Sequence, residues 1–382
     1  ILRSDWSSDV CSSDLNNFLH AICYVNNKKM SVERINNNSE SIVNSGAIRG
    51  LAILGIILHN YCHWLSGIVR ENEYTFKSNN VQGMLHAFAS PDSNFLLHII
   101  SFFGHYGVPL FLFLSAYGLE KKYASQPLSV PLAGFMGHHF RKLWSMMIVG
   151  FAAFTMVDLI TPGSYHYTLG NVLGQITMTN NLFTNPDRAI WPGPYWFFGL
   201  MLQLYLIYRV AIFRRSSWVV VFLIVLCWLV QAVCLPTSDM LNQLRYNSIG
   251  GILPFGLGIL YARFEPKVPL SACYLLAIGS LVGIFLGSLY YQTWFVVPAF
   301  VCVLGLTFVR ILPQVLQNGL AWVGSISAAL FVSHPITRKI FIPISRQGDV
   351  YSGLVLYFLA SIVVAIVFKR LIKLVSDELF KK

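Results

Sequence analysis

Two ionisable side chains share one apolar stretch of this chain, and their types suit acid–base chemistry on a hydroxyl. Arg49 stands in Ala47-Ile48-Arg49-Gly50-Leu51-Ala52, and His59 follows ten residues later in Ile56-Ile57-Leu58-His59-Asn60. Ten helical residues rise about 15 Å and turn roughly 80° short of three whole turns, so the two side chains point to neighbouring faces at different depths. One cavity can therefore hold both. Histidine takes and returns a proton near neutral pH, which makes His59 the natural general base. An ionisable side chain at membrane depth costs about 2.5 to 3.5 kcal/mol on insertion scales, so each one invites a functional reading. Bland readings stay open beside these. Arg49 also suits an interfacial anchor that snorkels to the headgroups, and His59 a structural histidine bonded to a backbone carbonyl in a helix contact. His63 lies one turn beyond His59, but no acidic residue sits near on this helix, so no metal site is expected.

Three further clusters carry polar chemistry. The run Gly104-His105-Tyr106-Gly107-Val108-Pro109-Leu110-Phe111-Leu112-Phe113-Leu114-Ser115-Ala116-Tyr117-Gly118 has small residues that permit close helix approach, with Ser115 as its hydroxyl. The stretch His138-His139-Phe140-Arg141-Lys142-Leu143-Trp144 adds a second basic cluster on the membrane face of Arg49. Phosphates select Arg and Lys, so two such clusters suit a polyanionic donor such as a coenzyme A thioester; they equally suit simple topogenic charge. Ser325-Ile326-Ser327 precedes His334-Pro335, a second membrane histidine beside a helix-breaking proline.

The elements that must position these groups are membrane helices. The 382 residues are 55% hydrophobic and 11% charged, with a mean hydropathy of +0.60, whereas a soluble domain is about 25% charged. Apolar runs fall near residues 47–66, 94–119, 141–160, 194–213, 217–235, 246–262, 268–290, 292–312, 319–343 and 351–373. Blocks of this length, rather than short alternating strands, predict about ten transmembrane helices and an all-α polytopic fold. The stretches 246–262 and 319–343 are the weakest. Alternate loops divide the cations 18 to 7, with Lys121, Lys122, Arg141, Lys142, Lys369 and Lys373 on the rich side. That asymmetry puts both termini in the cytoplasm. The net charge of +11 is spread between apolar blocks and forms no stripe, so no nucleic-acid partner is expected. Cys23, Cys62, Cys227, Cys234, Cys273 and Cys302 are scattered without paired spacing and read as small buried hydrophobes.

Residues 1–15 repeat Ser-Ser-Asp at 7–9 and 12–14 and read as a translated sequencing adapter, or else as a short disordered tail; Met30 is the expected start. Residues 16–45 form a polar N-terminal tail, 46–375 the membrane domain and 376–382 a cytoplasmic tail. The outer connection at 161–193 and the residues after it hold Trp191-Pro192-Gly193-Pro194-Tyr195-Trp196, suited to the bilayer interface.

Over residues 45–375 the chain resembles the acyltransferase 3 family of bacterial membrane acyltransferases, which includes O-acetyltransferases of surface polysaccharides. The resemblance is most specific at Arg49-Gly50-Leu51-Ala52 through His59. It is supported by Gly107-Val108-Pro109-Leu110-Phe111 with Ser115, Tyr195-Trp196-Phe197, Phe255-Gly256-Leu257-Gly258, and Gly324-Ser325-Ile326-Ser327 leading to His334. It implies that His59 is catalytic with Arg49 as its companion and that cytoplasmic acyl-CoA, expected to be acetyl-CoA, is the donor. Arg141, Lys142 and His139 are then expected at the donor, and His334, Ser115 and Trp196 at the acceptor. Two departures stand out. Where members often carry Arg-x-x-Arg, this chain reads His139-Phe140-Arg141-Lys142, and where many carry a glutamate after the Trp of helix 4, the nearest polar residue is Gln203. The expected activity is transfer of an acetyl or other short acyl group to a hydroxyl of a cell-surface or lipid-linked glycan, in the bacterial inner membrane. The competing reading is a transporter or flippase for an anionic or glycan substrate, in which Arg49 and His59 bind it or relay protons.

Overall fold

The computed structural model describes residues 44–70, 73–124 and 131–380. The leader, nearly all of the polar tail, Cys23 and the final two lysines lie outside the described residues. Helices α1 (Ser45–Cys62), α2 (Ser78–Ala89), α3 (Phe95–Gly104), α4 (Gly107–Tyr123), α5 (Leu132–Ile160) and α6 (Leu169–Ile176) come first. Then follow α7 (Trp196–Ile207), α8 (Ser217–Ala232), α9 (Asp239–Arg245), α10 (Ser248–Phe264), α11 (Leu270–Leu289) and α12 (Tyr291–Trp294). The last four are α13 (Val297–Ile311), α14 (Gln314–Ser325), α15 (Ser327–Arg346) and α16 (Val350–Phe380). No strand occurs among the described residues.

A helix lies on each of the ten apolar stretches, but they are not ten equal spans. Five helical segments are long and apolar enough to cross a membrane: Phe95–Tyr123, Leu132–Ile160, Gly193–Ile212, Leu270–Leu289 and Val350–Glu378. A sixth results if α14 and α15, bent by 71° at Ile326, are one broken span, while α8 and α13 are shorter apolar helices. The two stretches that read as weakest are thus a 17-residue helix, α10, and this broken pair. Residues 376–380, expected as tail, continue α16 as helix. Large apolar side chains face outward on the periphery, among them Trp218, Phe222, Leu275, Ile278 and Val363. Lipid is the solvent that accepts such a surface.

Helix α1 sits at the centre, packed against α3, α4, α14, α15 and α16. Glycine lets it approach so closely. A methyl group at Gly50 would overlap the Leu320 carbonyl of α14, and one at Gly107 would overlap the Ala52 carbonyl. The small residues of 104–118 therefore serve the close packing expected of them, which holds the face bearing Arg49 and His59 against its neighbours.

Candidate active site

His59 lies in the last turn of α1, and its Nδ1 is 2.7 Å from the Ser101 carbonyl oxygen of α3. A carbonyl only accepts, so Nδ1–H donates and the lone pair of the neutral ring stands at Nε2. The neighbouring α3–α4 corner supplies His105, whose ring centroid is 5.3 Å from that of His59, and His63 lies at 5.5 Å on the other side. His105 Nε2 is in turn 3.2 Å from the Glu73 carboxylate, and both groups are buried. Arg245 Nε donates to the Glu73 carbonyl oxygen at 2.9 Å, with its guanidinium 4.6 Å over the Trp294 ring. Glu73 is thus a buried carboxylate two histidine rings from the edge of α1. Sequence reading had sought such a group on helices and missed it in the loop before α2; its only signal was scarcity, since the chain has 16 acidic residues.

A cavity of about 1820 Å³ takes in His59, His63 and His105 and reaches both ends of the bundle. Its wall includes Arg49, His59, Ser115, His139, Arg141, Lys142 and Trp196, so seven of the eight site residues expected from the sequence come together. The eighth does not. His334 is fully buried in α15, its Nδ1 3.1 Å from the Leu330 carbonyl oxygen of its own helix, and it is not part of the cavity wall. Its helix instead contributes Phe331 and Arg338. Gln203 also faces elsewhere: it bonds Asn247 Oδ1 and the Ser248 amide at the start of α10.

The two ends differ in chemistry. At one, Arg49, Lys122, Arg141, Lys142, Lys369 and Lys373 line the wall. Ser115 Oγ and the Tyr205 hydroxyl meet there at 3.1 Å, close to Arg49. His139 packs between the rings of Phe135 and Tyr205, each 4.5 Å away, and its Nε2 has no protein hydrogen-bond partner. At the other end Trp64, Trp191, Tyr165 and Trp196 share the wall with Arg70, Arg188, Arg338 and Arg346. Trp196 stacks edge-on to Tyr74 and Tyr246. His59 is nearer this aromatic end, because α1 runs from the basic end and stops three residues after it. Among the described residues no three His, Cys, Asp or Glu side chains converge in a metal-binding cluster.

The structure is thus an all-helical membrane protein that holds His59, bonded through Nδ1 to the Ser101 carbonyl oxygen, on the wall of a cavity with a basic and an aromatic end. The family model of the acyltransferase domain matches residues 43–370, nearly the whole chain, and the protein belongs to this acyltransferase 3 family. It is a membrane acyltransferase. No curated protein and no solved structure matches the chain.

Proposed function

We propose that the protein moves an acetyl or other short acyl group from acyl-CoA to a hydroxyl of a cell-surface or lipid-linked glycan. The observation that carries this is His59, whose Nδ1 is committed to the Ser101 carbonyl and whose ring stands in the cavity between a basic and an aromatic end. In this reading Nε2 takes the proton of the acceptor hydroxyl as its oxygen adds to the thioester carbonyl. The tetrahedral intermediate then expels the coenzyme A thiolate as the C–S bond breaks, and the imidazolium returns the proton to sulfur. The buried Glu73 carboxylate beside His105 offsets the positive charge that develops on the His59 imidazolium.

Donor phosphates suit the basic end, where Arg49, Arg141, Lys142 and the orphan His139 Nε2 converge. Sugar suits the aromatic end, where Trp196 and Trp191 offer flat apolar faces and polar groups ring them. The division of cations between the ends supports a basic end in the cytoplasm of a bacterial cell, with the acceptor entering from outside. The test is purified protein with labelled acetyl-CoA and a glycan extract. Label should move to carbohydrate, and His59→Ala should stop it while the protein still inserts; equal product from the variant would refute the assignment.

A further inference from the structure

We infer that the acceptor carries a negative charge close to the hydroxyl that is acylated, and that Arg338 with Arg346 reads it beside the Trp64 ring. This rests on the acyl-transfer reading for the word acceptor, but the anion site itself does not. Arg338 is buried, 7% exposed, and lines the cavity. Its contacts are the Asn60 carbonyl oxygen at 3.4 Å, Asn60 Oδ1 at 3.2 Å and the Trp64 ring at 4.9 Å, all uncharged. No carboxylate among the described residues reaches it.

Its neighbour in sequence shows what the protein does when a cation there is structural. Lys339 is ion-paired to the fully buried Asp158, whose other oxygen accepts from the Tyr167 hydroxyl and the Tyr165 amide. Arg263 likewise holds Glu120 at 2.7 Å. A desolvated guanidinium left without a counter-charge is unfavourable unless an anion completes it. A cavity-lining one draws that anion from the ligand. Its planar fork favours a carboxylate or a phosphate, which present two oxygens in one plane.

The surroundings place that anion next to a sugar ring. Arg346 lies on the same indole, 5.6 Å from it, and donates to the Trp64 carbonyl oxygen at 3.0 Å. Trp191 meets Trp64 edge-on at 5.4 Å. Asp187 also lines this end, beside Arg188 at 3.8 Å. Asn60, the partner of Arg338, directly follows His59 in α1, so the charge lies at the level of the general base rather than out in a loop. A uronate carboxylate and a sugar phosphate share this chemistry.

The experiment measures equilibrium binding to the full chain in detergent without acyl-CoA, using a glucuronate-containing disaccharide against its glucose counterpart, and glucose 1-phosphate against glucose. At least one charged probe should bind tenfold or more tighter than its neutral partner, and whichever does identifies the anion. Arg338→Gln should remove that preference, and Arg338→Lys should keep part of it. Arg338→Lys carries the test if the glutamine variant does not fold. Equal binding of charged and neutral probes would overturn the inference while leaving acyl transfer standing. Acyl transfer assays on the same pairs separate the remaining case. A fall in kcat for charged and neutral acceptors alike, with KM unmoved, would make Arg338 a stabiliser of the tetrahedral intermediate and overturn the anion site. Arg338-dependent binding in a protein that transfers no acyl group would instead refute the acyltransfer reading alone.

Discussion

The two ends of the cavity carry charge of the same sign in different physical states. At the basic end Arg141 and Lys373 are exposed, and Arg141 Nε donates to the Gly137 carbonyl oxygen of its own helix at 3.3 Å. Such charges stay hydrated, act over a Debye length and hold no fixed geometry. At the aromatic end Arg338 is stripped of water, held by Asn60 and laid on Trp64. It acts only at contact, but there it selects shape as well as sign. In the proposed reading the first kind of site gathers the polyanionic donor and the second recognises one group of the acceptor.

The largest expected effect lies between the ends. His59→Ala should lower kcat by about 10²–10⁴, the range for loss of a general acid–base group, with expression and elution unchanged. Next is stability at the aromatic end. Lys339→Met leaves Asp158 buried without its cation and should destabilise the protein by roughly 3–5 kcal/mol, whereas Arg338→Gln should leave the unfolding temperature unchanged or raise it. Equal destabilisation by the two would break the distinction drawn between these neighbours. Glu73→Gln should lower kcat about 10- to 100-fold through the loss of the carboxylate charge 3.2 Å from His105. The matching control is KM for both substrates, which should stay put. Smallest is the basic end: Lys369→Ala with Lys373→Ala should raise KM for acyl-CoA a few-fold, at about 0.2–1 kcal/mol per solvent-screened charge. That penalty should fade in 1 M salt, where the Debye length is about 3 Å, while binding at Arg338 persists. An equally salt-sensitive Arg338 would mean the two ends differ in position only.

What was legible in the chain follows from how local each feature is. Helical periodicity put Arg49 and His59 on neighbouring faces of one helix, and the structure finds both on one cavity wall. Residue type and membrane depth alone also singled out His334, which the structure keeps off the cavity wall. Spacing puts His334 and Arg338 on one face of α15, but the histidine ring folds back onto the Leu330 carbonyl while the longer guanidinium reaches the cavity. Apolar length marked the stretches as helical, but the ten spans expected from it are not confirmed: five helical segments, or six with the broken pair, are long and apolar enough to cross, α14 and α15 break by 71°, and α8 and α13 are shorter. Glu73 escaped notice because a carboxylate in a loop carries no periodic signal.

By itself the sequence determined the solvent, the all-helical class, the family and the helix that bears Arg49 and His59, since hydropathy and short-range spacing are properties of contiguous residues. The tertiary structure alone decided the tautomer of His59, the placing of Glu73 behind His105 and, among the described residues, the absence of a carboxylate at Arg338. Each depends on a partner far along the chain: Ser101 is 42 residues from His59, and Asn60 is 278 from Arg338. Proton position and desolvation are set by whatever packs nearest in space, and no pattern within one helix encodes that.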